Sequence, residues 1–132
     1  MPGDIDNALK EATKGLLYTS ETDAPFEVVH WPADGDVLDA KKVLQLSGHP
    51  LNERVERMSI DEFFEELIKT RSWFGAEEKA AAKKYQQLLA VIQQQLTGAQ
   101  VFRVGEIQID IFIVGKTAQG DWAGVQTKAV ET

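Results

Sequence analysis

Cysteine is absent from the 132 residues. That excludes a disulfide framework, a thiolate metal site and a cysteine nucleophile, and it suits the cytoplasmic location expected here. Histidine occurs only as His30 and His49, and neither stands in the H-E-x-x-H spacing of a zinc-binding helix. Neither a glycine-rich phosphate loop nor a G-x-S-x-G turn is present, and no motif asks for a cofactor. The longest apolar runs are too short to cross a membrane. The acidic opening "MPGDIDNALKEATKG" has neither the basic nor the apolar region of a signal peptide. Basic residues are scarce where they would matter for nucleic acid. Residues 1–40 carry nine acids against Lys10 and Lys14, whereas the remainder carries twelve of each sign. The whole net charge of −7 therefore originates in the first third. Direct nucleic-acid binding normally needs a basic patch. An acidic surface instead serves solubility or attracts a basic partner.

What is present is an ordinary globular composition, 43% apolar and 27% charged, expected to form one domain over residues 1–132. Apolar residues Ile5, Ala8, Leu9, Ala12, Leu16 and Leu17 recur at helical spacing, predicting a helix from Asp4 to Tyr18. "TSETDAP" reads as a loop closed by Pro25, and "FEVVHWP" as a short strand. Asp39 and Gly48 fit the two ends of a helix over "DAKKVLQLSG". "RVERM" suggests a brief strand. In "SIDEFFEELIK", Ser59 and Glu62 form a capping box. "TRSWFG" is a loop, and a longer helix follows over residues 76–97, stopped by Gly98.

The rest is β. "QVFRV", "EIQIDIFIV" and "WAGVQTKAV" read as three adjacent antiparallel strands, with Ile107, Ile109, Ile111 and Ile113 on one face. The order α-β-α-β-α-α-β-β-β implies an α+β fold. Apolar residues on both faces of the last strands predict helices on both sides of a mostly antiparallel sheet, an α-β-α sandwich.

Few residues suggest chemistry. Asp110 among the isoleucines, with Glu106 and His30, is the one set from which a small hydrolase could be built; Asp110 reads more simply as a hydrogen-bonded or solvated strand residue. Glu21 and Asp23 fit a turn, Trp73 reads as a lid folded onto the core, and Trp122 fits cross-strand packing. The strand pattern of "WAGVQTKAVET" persists almost to Thr132, although chain ends usually fray.

"GLLYTSETDAPFEVVHW", "VLQLSGH", "IDEFF", "KYQQLLAVI" and "QVFRVGEIQIDIFIVGKTAQGDWAGVQTKAVET" occur in order and cover nearly the whole chain. Taken together, they resemble the nuclease A inhibitor family, small acidic bacterial proteins that block a sugar-non-specific endonuclease. The resemblance implies a three-layer α-β-α sandwich with a mixed, mostly antiparallel sheet, and a protein that is not an enzyme. It also implies a partner, a Mg²⁺-dependent nuclease of the ββα-metal type bound one to one at its active site. Glu21, Trp73 and Thr132 match the family's partner-binding positions, flanked by Asp23, Ser72 and Glu131. The chain has no metal site of its own on this reading; Thr132 is expected to approach the partner's Mg²⁺. Ser72 stands where the family pattern has an acid. An interaction domain of the same fold with a non-nuclease partner is the alternative.

Overall fold

A computed structural model describes residues 2–32 and 38–131. Its elements are α1 (Pro2–Thr13), β1 (Leu17–Thr19), β2 (Asp23–Pro25), β3 (Glu27–Trp31), α2 (Ala40–Ser47), β4 (Val55–Met58), α3 (Ile60–Ile68), α4 (Ala76–Gln95), β5 (Thr97–Val104), β6 (Gln108–Lys116) and β7 (Trp122–Val130). The class is α+β. Five strands form one sheet in the order β3-β7-β6-β5-β4, and β1 pairs with β2 in a separate hairpin.

Every neighbouring pair in the sheet is antiparallel, which corrects the expected mixed sheet. The β3–α2–β4 connection does join two strands of the same direction. However, β5, β6 and β7 fill the space between them, so no parallel strands become neighbours among the described residues. The expected meander over residues 99–130 is present as β5, β6 and β7.

Alternation along β6 sends side chains to both faces. Ile109, Ile111 and Ile113 join Val101, Ala123, Val125 and Ala129 on one face, packed with α1 (Ile5, Leu9), α3 (Phe63, Phe64) and α4 (Tyr85, Leu88, Ile92). Phe102, Val104, Phe112, Val114 and Trp122 fill the other face, packed with Val43 and Leu44 of α2. Each such side chain removed from water contributes about 1.5–3 kcal/mol. Ile107 is an exception: it falls in the bend before β6 and is exposed. Gly124 permits the closest approach of β6 and β7, since a Cβ there would lie 1.8 Å from the Ile113 carbonyl oxygen.

Element ends follow their caps. Asp39 accepts the Lys42 N–H at the start of α2, and Gly48 ends it in the left-handed region. Ser59 accepts the Glu62 N–H at the start of α3. In α1 the predicted end moves from Tyr18 back to Thr13. The Thr13 hydroxyl donates to the Leu9 carbonyl at 2.8 Å and Gly15 takes φ +73°. Leu16 then enters the core outside the helix, while Leu17 is exposed. Likewise α4 stops at Gln95, and β5 begins only two residues on, at Thr97. The loop expected over "TSETDAP" is instead the β1–β2 hairpin, whose three-residue strands are too short to show a period of two.

Candidate functional site

Residues 130 and 131, the last described, are tethered rather than frayed. The Val130 N–H donates to the Ser20 hydroxyl at 2.9 Å. The Glu21 N–H donates to the Val130 carbonyl at 3.3 Å, and the Glu131 N–H to the Ile107 carbonyl at 2.9 Å. The Arg103 guanidinium pairs with the Glu131 carboxylate. The tip of the hairpin, carrying Glu21, is thereby fastened to the last residues of β7. Thr132 lies outside the described residues.

The hairpin is itself firmly seated. Tyr18 stacks on Phe63 of α3 at 5.7 Å and meets Phe26 edge-on at 6.4 Å. The Tyr85 hydroxyl of α4 donates to the Leu17 carbonyl at 2.8 Å, and that of Thr127 to the Pro25 carbonyl at 3.1 Å. Burial raises the pKa of the Tyr18 phenol; the Arg103 cation opposes the shift and the Glu131 anion adds to it. Burial also raises that of Tyr85. Asp23 sits on β2 opposite Thr19, on the exposed side of the hairpin.

Trp73 is 74% exposed, which corrects its reading as a lid. Its neighbours hold it off the core. The Arg71 guanidinium lies 5.7 Å from its ring centre, and Phe74 meets it edge-on at 6.3 Å. Arg71 also reaches Glu66, as does Lys69, each at 3.1 Å, and these cations lower the Glu66 pKa. Ser72 is exposed beside Trp73. The α4 helix is about 30 Å long and leads into Thr97, which pairs with Lys116 at the Trp122 end of the sheet. Midway along it, Lys84 and Tyr85 donate to the Lys14 and Leu17 carbonyls, beside the hairpin that is fastened to Val130, so its first turn, with the Trp73 loop before it, lies toward the Val130 end. Ile107, 57% exposed, belongs to the β5–β6 bend at that same end. So does Leu51, 61% exposed, in the loop entering β4 opposite Val104.

The structure thus joins Glu21 to Val130, the neighbour of Glu131, and places Trp73 and Ser72 in a separate loop toward the same end. A sequence model of the nuclease A inhibitor-like protein family matches residues 3–132. The chain belongs to that family. Membership implies a nuclease-inhibitor role and a nuclease partner. Among curated proteins no match to the chain is found. No described helix is long and apolar enough to cross a membrane.

In this member of the nuclease A inhibitor-like family, the hydrolase alternative fails on geometry. His30 pairs with Ala123, on the α1 face of the sheet, while Asp110 pairs with Val104 on the α2 face. Asp110 receives His49 Nε2 at 2.8 Å, and Glu106 is exposed in the bend. The set Glu106, Asp110 and His30 is not assembled.

His30 instead bridges two acids. Nδ1 lies 2.8 Å from Asp6 of α1, and Nε2 lies 2.5 Å from Asp121 in the β6–β7 turn. Ionised carboxylates only accept, so the arrangement suits the imidazolium, in which both ring nitrogens donate. The Asp121 hydrogen bond, opposed by partial burial, raises the His30 pKa, with Asp6 adding to the rise. The Thr117 hydroxyl and then His30 lower that of Asp121. A raised histidine stabilises the fold fully below its unfolded pKa of about 6.5, and that stability is lost as pH rises through the folded value. The Asp121 contribution is present above its unfolded value of 3.8 and lost as pH falls through the lowered one. Urea midpoints should therefore drop as pH rises from the unfolded value of 6.5 through the raised folded one, and His30→Gln should flatten that drop. An equal drop in both proteins would exclude His30 as its source.

Sequence reasoning missed Ser20, Arg103 and Tyr18. Ser20 and Arg103 act on partners 110 and 28 residues away, so no local pattern signals them. Alternation offered one hint, since it puts Arg103 on the face shared by Val101 and Ile111, where a cation needs a partner. The acids of the first third also scatter. Asp6 braces α1 and Asp39 caps α2, leaving Glu21 and Asp23 on the hairpin.

Proposed function

We propose that this chain is a protein inhibitor that binds, one to one, the active site of a Mg²⁺-dependent, sugar-non-specific endonuclease of the ββα-metal type. The Val130 end of the sheet is its binding surface. One observation carries the reading: the hairpin tip bearing Glu21 is hydrogen-bonded to the end of β7, so two acids and the approach to Thr132 form one rigid projection. Exposed Trp73, Ile107 and Leu51 lie toward the same end. Apolar anchors beside acids suit a basic cleft that must hold a polyanion. Glu21 pairs with an arginine of the cleft through two parallel bonds. Mg²⁺ takes oxygen ligands, and Thr132 supplies hydroxyl and carbonyl or carboxylate oxygens to the partner's ion.

Arg71 and Ser72 beside Trp73, in place of an acid, favour a second reading, an interaction domain whose partner is not a nuclease. Titrating the protein into a ββα-metal nuclease while following DNA cleavage separates the two. A sharp end point at one inhibitor per nuclease supports inhibition, and undiminished cleavage at large excess supports the alternative.

Association should be steered by charge. Exposed Glu21 and Glu131 face solvent within a chain of net charge −7, and such fields are screened over about 10 Å at 0.1 M salt. Stopped-flow association rates should fall about tenfold or more between low and high salt, with dissociation changing far less. A salt-independent association rate would exclude steering.

A further inference from the structure

Two side chains reinforce the backbone bonds around Val130 and Glu131: the Ser20 hydroxyl, which takes the Val130 N–H, and the Arg103 guanidinium, which pairs with the Glu131 carboxylate. Ser20 Oγ accepts the Val130 N–H at 2.9 Å and donates to the Thr22 carbonyl at 3.2 Å. One side chain thus closes the hairpin tip and holds β7 against it. Arg103 rises from the middle of the sheet to the Glu131 carboxylate, and only 21% of its side chain is exposed, against 48% for Glu131. A cation covered to that degree cannot present its charge broadly to a partner. Its effect passes through Glu131.

We infer that Ser20 and Arg103 are positioning residues for partner binding: they hold Glu21 and the end of β7 in one fixed arrangement before the nuclease arrives. This rests on the functional reading above, and it adds two residues that touch no partner. The physical reason is the cost of ordering. A loose hairpin tip and a loose strand end must each be immobilised on binding, whereas a prefixed pair has already lost that freedom on folding. The loss on removing either residue should therefore appear in the lifetime of the complex rather than in its rate of formation.

Two measurements test this. In the free protein, amide exchange followed by NMR should speed up about tenfold at Glu21, Val130 and Glu131 in Ser20→Ala, as expected for local opening. Val125, in the middle of β7, and the thermal midpoint should stay unchanged. Against a ββα-metal nuclease, dissociation of Ser20→Ala and of Arg103→Ala should be about tenfold faster, with association within about twofold. Ser20→Thr, which keeps the hydroxyl, should restore slow dissociation. Arg103→Ala combined with Glu131→Gln should be no worse than Glu131→Gln alone, because that change already breaks the pair.

Unchanged exchange in Ser20→Ala would overturn the tether. Faster exchange with wild-type dissociation would overturn its role in binding. Additive effects of Arg103→Ala and Glu131→Gln would mean that Arg103 meets the partner itself, against the inference. Failure of the unaltered protein to inhibit any such nuclease would instead overturn the functional reading, while the exchange measurement still decides the tether.

Discussion

Glu21→Ala should weaken nuclease binding by about 2–5 kcal/mol, the range for truncating one partner of a buried, hydrogen-bonded charge pair. Much of that loss is the cleft's arginine left buried without a counter-charge. The folded protein should hardly notice. Glu21 is exposed at the hairpin tip, where substitutions usually change stability by about 0.5 kcal/mol or less, and its backbone N–H, which alanine retains, still bonds Val130. Ser20, Tyr18 and Thr127 continue to seat the hairpin. Inhibition curves for both proteins, with a thermal melt of each, provide the measurement. Parallel losses of melting temperature and inhibition would make Glu21 a fold residue and remove it from the interface.

The second large effect is expected at Thr132. Removing it, or adding three glycines after it, should cost about 2–4 kcal/mol of binding, as for a central interface residue. In one case the oxygen donor is gone. In the other, added chain collides with the floor of the cleft. Folding should survive both changes, because the core residues of β7 end at Ala129 and Glu131 keeps its bonds to Ile107 and Arg103. Three superimposable inhibition curves would exclude Thr132 from the mechanism.

Local chemistry made some of this legible in advance. The Asp39 and Gly48 caps, the Ser59 cap and the isoleucine alternation each describe a residue and its neighbours within a few positions, and each appears where expected except at Ile107, which the bend before β6 leaves exposed. Other features depend on distant parts of the chain. Pairing of Val28 with Val125 is decided by tertiary packing across 97 residues, and β1 and β2 are strands only because they pair with each other. Trp73 illustrates the limit for the candidate site. An indole next to a phenylalanine reads as core, yet Arg71 over its ring and the short turn into α4 leave it in solvent. Glu21, Trp73 and Thr132 entered through a family resemblance. Ser20 and Arg103 act on residues 110 and 28 positions away, beyond the reach of any local pattern.

Strand order has a consequence for how the protein comes into being. The last strand described, β7, lies between β3 and β6. During synthesis β3 emerges nearly a hundred residues before the strand it will pair with. Until then its edge is open and the apolar face of α1 has only part of its cover, a situation of high contact order and exposure to misassembly. The hairpin that carries Glu21 is fixed to β7 as well. A nascent chain lacking β7 therefore holds neither a closed sheet nor a fixed Glu21 tip, and on the proposed reading inhibition begins only once β7 is in place.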